Sequence, residues 1–171
     1  MRVPDEDLIM LRSVSFLLLA CAVLGSSAFG AEKYTGPRPP KPDLLYLVHA
    51  DNLVPTEAAE AKRETGKKDE TTYSLAGANS PARTPLAEPI FLIESDKILP
   101  ERLELYRWDV KSGHRELLVK SGKKGGTRPL HLSVTKLDGR LYRVEASEPL
   151  PDGQYSISPN DSDRVFCFEV F

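Results

Sequence analysis

The chain of 171 residues is 40% hydrophobic and 28% charged, which excludes an intrinsically disordered chain and allows one folded domain with a tail. A net charge of -2 gives no global field toward nucleic acid or an anionic membrane. The 2 cysteines, Cys21 and Cys167, exclude a disulfide scaffold, because Cys21 lies in a segment expected to be removed.

That segment is residues 1–30. Val14–Leu24 is an apolar run with Arg12 before it, and Ala28 and Gly30 supply small residues for signal-peptidase cleavage. The run is too short to cross a bilayer, which takes about 20 residues. Met10-Leu11-Arg12 is a better start than the acidic Asp5-Glu6-Asp7. A signal peptide is expected, with export to the periplasm or outside the cell and no transmembrane span after cleavage. The alternative is Leu18-Leu19-Ala20-Cys21, which resembles a bacterial lipobox and implies a lipid anchor at Cys21 and a membrane-anchored lipoprotein.

Residues 31–43 carry four prolines and few apolar side chains, predicting a poorly ordered, extended linker. Residues 44–84 are expected to form a β-rich extension and a loop. Leu44–His49 is a short β-type run that Asp51-Asn52 ends or bends. Glu57–Glu64 has the composition of a helix, but it is two turns long, apolar only through Ala, and weakly capped. A charged hairpin is preferred, turning at Thr65–Asp69 and returning through Thr71–Leu75. Ala76–Pro89 is rich in Gly, Pro, Asn and Ser and predicts a loop.

Residues 85–171 are expected to be the main domain. Ile90–Glu94 is an almost continuous apolar strand. Leu103–Val119 predicts a hairpin turning at Val110–Gly113, as a type I turn with a G1 bulge. That geometry sets Trp108 opposite Glu116 and Tyr106 opposite Leu118. Leu103, Leu105, Leu117 and Val119 would share the core face with Arg107, and with Asp109 opposite Arg115. Tyr106, Trp108 and Leu118 would form a stripe on the other face. Lys120–Arg128 is a flexible basic loop. Gly122–Thr127 lacks phosphate-loop spacing, so a solvated loop is expected. Leu130–Val144 predicts a second bulged hairpin, with Val134 opposite Tyr142 and Leu132 opposite Val144.

Leu150-Pro151-Asp152-Gly153-Gln154-Tyr155 resembles the tyrosine corner of immunoglobulin-like and fibronectin-type sandwiches. The resemblance implies that the Tyr155 hydroxyl bonds upstream backbone. It also implies that Tyr155–Ile157 is strand F and Val165–Val170 strand G. The fold class expected is all-β: an immunoglobulin-like antiparallel sandwich with an N-terminal β-rich extension.

No catalytic constellation emerges. His49, His114 and His131 lack ligands at metal spacing, no Gly-x-Ser-x-Gly elbow occurs, and no cofactor motif is present. Cys167 alternates with Val165 and predicts a small buried residue. Tyr106 and Trp108 point the same way, about 7 Å apart, and form the candidate ligand or partner surface unless other structure covers them. The function expected is an exported, non-catalytic module with an unknown protein partner. The alternative is a carbohydrate-binding module that uses the two rings as a platform.

Overall fold

The computed structural model describes residues 33–66, 70–120, 127–160 and 162–171. The signal segment with Cys21, residues 67–69 of the charged turn, and most of the glycine-rich basic loop lie outside them.

Short runs of alternating residues between Gly, Pro and Asn form strands throughout the described chain. In order these are β1 (Tyr46–His49), β2 (Asn52–Pro55), β3 (Glu57–Glu60), β4 (Lys62–Thr65), β5 (Glu70–Ala76), β6 (Arg83–Thr84) and β7 (Ile90–Glu94). A 3-10 turn at Pro100–Arg102 leads into β8 (Leu103–Lys111) and β9 (His114–Lys120). The last four are β10 (Leu132–Asp138), β11 (Leu141–Ala146), β12 (Gly153–Pro159) and β13 (Arg164–Val170). The fold is all-β. Among the described residues no helix is long and apolar enough to cross a membrane.

One sheet has five strands in the order β10-β11-β7-β1-β2. The other runs β3-β13-β12-β8-β9-β5-β4, and β6 joins it parallel to β13. Its two end strands, β3 and β4, are separated in sequence by Ala61 alone. They are therefore one extended segment, whose first half pairs with β13 and whose second half pairs with β5. The Ala61 N–H donates to Asp163 O at 2.8 Å across the break. The sheet thus curls until its ends meet, and it encloses an interior of its own.

Alternation sends side chains from the curled sheet into two separate cores. On β13, Phe166, Phe168 and Val170 face the five-stranded sheet, while Val165 and Cys167 face the enclosed interior. Both faces of β12 and β13 are covered, so Gln154–Ser158 and Val165–Phe168 are buried without interruption. The core between the sheets gathers Leu45, Leu47, Phe91, Ile93, Leu105, Val144, Tyr155 and Ile157 around Phe166 and Phe168. Phe168 meets Phe91 edge-on at 4.8 Å and stacks on Tyr155 at 5.5 Å.

Some expectations hold and others need correction. The proline-rich segment touches the body at Arg38 and at its end, Asp43. Arg38 pairs with Asp138, and the buried Asp43 Oδ1 accepts from the backbone N–H groups of Asp96, Lys97 and Ile98 at 3.0, 2.9 and 3.2 Å. The preferred charged hairpin does form, with Lys62–Thr65 paired to Thr71–Ser74, and Glu57–Glu60 gains a further ladder partner in β13 that an isolated two-turn helix would lack. The extension is woven into both sheets, with β1 paired to β7 and β5 paired to β9. The β8–β9 turn is two residues, Ser112 and Gly113, with φ of 48° and 81°. It pairs Val110 with Arg115 and Asp109 with Glu116, one residue away from the expected register. The β10–β11 pairing instead moves by two residues, setting Val134 opposite Val144 and Lys136 opposite Tyr142.

Candidate binding cleft

The one-residue shift decides what fills the enclosed interior. Because Val110 lies opposite Arg115, alternation puts Tyr106 and Trp108 of β8 on the same face as Arg115, Leu117 and Val119 of β9. Leu75, Ala61, Val165 and Cys167 complete the lining from β5, the β3–β4 break and β13. Trp108 is 3% exposed, and its Nε1–H donates to Ser156 Oγ at 2.8 Å. Other structure, including the Glu57–Leu75 segment, therefore covers Trp108, and an exposed two-ring platform is not formed. Trp108 is an interior side chain, and Tyr106 is half-buried at one mouth of the tube.

Arg115 plugs the opposite end. It is 1% exposed, and its guanidinium donates to both Glu57 carboxylate oxygens at 2.7 and 2.9 Å. It also donates to Gly77 O at 3.1 Å and Ala76 O at 3.2 Å. Burial works to raise the Glu57 pKa. The bonds from Arg115 and Ser80, together with the Arg115 charge, outweigh burial and hold the carboxyl below its usual range. The pair fastens β3 to the end of β9 nearest the turn. Nearby, burial pushes the Cys167 thiol up to about 12, so it stays protonated and unreactive.

The mouth at the other end holds a cleft of about 130 Å³. Tyr73, Tyr106, Trp108, Leu117 and Val119 make its apolar wall. Glu104 and Asn160 supply polar groups at its edge. Tyr106 Oη donates to Glu104 Oε2 at 2.8 Å, and Asn160 Nδ2 donates to Glu104 Oε1 at 3.5 Å. The ring of Tyr106 is thus held in one orientation at the opening.

No protein-family profile, curated protein or solved structure matches this chain. The remaining expected residues fall outside the cleft. Tyr155 is in the core between the sheets, where its hydroxyl donates to Pro151 O at 2.7 Å and burial raises its pKa. His114 meets Glu116 at 2.9 Å on the surface, and the buried His49 Nε2 has no hydrogen-bond partner among the described residues. Among the described residues no group of three His, Cys, Asp or Glu side chains is placed to hold a metal ion.

Sequence patterning put Tyr106 in the candidate surface but missed Tyr73, Glu57 and the role of Arg115. One signal for Arg115 was present: it alternates with Leu117 and Val119, on a face too apolar for an unpaired cation. Nothing in the local sequence names Glu57 as its partner, because the two are 58 residues apart.

Proposed function

We propose that this chain is an exported, non-catalytic immunoglobulin-like module that binds a protein partner, with the Tyr106 cleft receiving one anchoring side chain. The strand order supports the immunoglobulin-like reading. β1-β7-β11-β10 corresponds to strands A-B-E-D, and β13-β12-β8-β9 to G-F-C-C′. The Tyr155 bond to Pro151 at the start of the F-equivalent strand fits the same pattern. Trp108 departs from it, because it stands on the C-equivalent strand but faces the enclosed interior and not the core between the sheets. Export is supported by the signal-like residues 1–30.

The observation that carries the partner reading is the size of the cleft. At about 130 Å³ it is smaller than the roughly 300–1,000 Å³ typical of small-molecule sites. It is close to the roughly 150 Å³ cavity that accepts a benzene ring. A rigid, aromatic-walled pocket of that volume suits one apolar side chain of a larger partner, the usual form of an interface hot spot. A carbohydrate is the second reading, favoured by the Tyr106 ring and the Glu104 carboxylate together at the opening.

Photo-crosslinking in the exporting cell tests this. A crosslinking residue at Tyr106 should give one discrete, protease-sensitive adduct that the same residue at exposed Asp51 does not give. Equal adducts from both positions would overturn the partner reading, and an adduct sensitive only to glycosidases would favour the carbohydrate. Mass spectrometry of the mature N-terminus should find the chain beginning after Gly30; an acylated Cys21 would establish the lipoprotein instead.

A further inference from the structure

Behind the β12–β13 loop lies a second cavity, of about 320 Å³. Its charged lining among the described residues is Lys97, Arg102 and Arg164, with Asn160 and Ser162 as uncharged polar groups and no carboxylate among those residues. Its walls are fixed by the backbone. Asp43 holds the turn that carries Lys97 through three N–H bonds, and the Asn160 N–H donates to Arg102 O at 2.9 Å. Arg164 is anchored by donating to Asp43 O at 2.8 Å and by lying 4.9 Å from the Phe166 ring. Lys97 and Arg102 are exposed and form no ion pair among the described residues. Leu99, 59% exposed, lies at the same cavity.

Pro159, Asn160 and Ser162 line both this cavity and the Tyr106 cleft. A chain segment that sets an apolar side chain into the cleft would therefore bring its next residues over three cations. We infer that the Lys97–Arg102–Arg164 cavity binds the carboxylates of an acidic segment of a protein partner, next to that segment's apolar anchor. The inference rests on the partner reading of the Tyr106 cleft and deepens it. A protein segment fits better than a membrane surface, because the cations line a concave site beside a pocket of side-chain size and the chain is near neutral overall.

The test is a titration of the ¹⁵N-labelled full chain, followed by NMR. The probes are acetyl-Phe-Asp-Glu-Asp-Glu-amide, its Lys counterpart acetyl-Phe-Lys-Lys-Lys-Lys-amide, acetyl-Phe-amide, sodium sulfate and phosphatidylglycerol vesicles. The acidic peptide should shift the amides of Lys97, Arg102, Ser162 and Arg164 saturably, and the Lys peptide should not. Lys97→Glu with Arg102→Glu should weaken the acidic peptide about tenfold while leaving the spectrum of the core unchanged, and added salt should weaken it in wild type. Absent or non-saturable shifts, or indifference to the double reversal, would overturn the inference. So would sulfate binding as tightly as the peptide, or vesicles binding at this cavity in its place. Acetyl-Phe-amide separates the two proposals through the Trp108 indole signal. A shift there without any acidic-peptide response at the cations sinks the anion site and spares the anchor cleft. The converse result sinks the cleft and spares the anion site.

Discussion

The two interiors of this protein share strands β8, β12 and β13 but are built from different chemistry. The core between the sheets is centred on a large aliphatic and aromatic cluster in which the buried Tyr155 hydroxyl reaches the Pro151 carbonyl. The interior of the curled sheet mixes Leu75, Leu117 and Val165 with Trp108, Cys167, Ser156 and the Arg115–Glu57 pair. An apolar core tolerates many packings, whereas buried donors require particular partners. The first interior also buries the larger set of apolar side chains, and on that ground should contribute the larger share of hydrophobic stabilisation. The second specifies which strands close the tube: Arg115 holds β3, and Trp108 is fixed to β12. That closure is what leaves a shaped cleft at the far mouth.

Two adjacent residues on one strand give the sharpest contrast. Phe168→Ala removes a fully buried ring from the apolar core and should cost about 3–5 kcal/mol in urea unfolding. Breaking the other interior through Glu57→Ala should cost less, toward the lower end of the roughly 3–5 kcal/mol range for a broken buried pair, because Glu57 retains some exposure and Arg115 keeps two backbone carbonyls. Glu57→Leu combined with Arg115→Met should recover most of that loss. If the double variant were as unstable as the single one, the pair would be contributing net stability, and the division between the two interiors would fail. Next to Phe168, Cys167→Ala should cost only about 1 kcal/mol, since it removes one sulfur from a small site. The wild-type thiol should resist alkylation until the protein unfolds.

The two hairpins explain how much of this was legible in the sequence. In Leu130–Val144 the expected register differed from the observed one by two residues, an even shift that preserves faces, so Leu132, Val134, Tyr142, Val144 and Ala146 still share one side. In Leu103–Val119 it differed by one, which moved Leu117 and Val119 away from Leu105 and onto the face of Tyr106 and Trp108. The cause is Ser112. A turn with two consecutive left-handed residues is usually marked by Asn-Gly or Asp-Gly, and Ser-Gly carries no such mark. Most of the strands, the all-β class and the alternation of β13 were readable from periodicity, whereas β2 begins where a bend was expected and β6 lies in an expected loop. Closure of the tube was not. It depends on the polar segment Glu57–Thr65 finding β13 on one side and β5 on the other, a tertiary fact with no local signature.

The smallest expected effect is the response to acid, and it separates the interiors by charge. The folded-state pKa of Glu57 is lowered, so it contributes stability that is present above the unfolded carboxyl pKa of about 4.5 and is lost as pH falls through the folded value. Surface Glu64, held by Lys62, and Glu116, held by His114 and Lys111, are shifted in the same direction and add to the slope. The hydrophobic cluster between the sheets has no such ion pair among its side chains. Glu57→Gln keeps a hydrogen-bonding group beside Arg115 but removes the titration. Its stability, measured by urea unfolding at several pH values, should lie below wild type at pH 7. The two should converge as pH drops below 4, leaving the variant with only the shallower slope from the surface pairs. Parallel curves for the two proteins would mean that acid sensitivity lies on the surface, and that the enclosed pair is no more responsive to protons than the apolar core beside it.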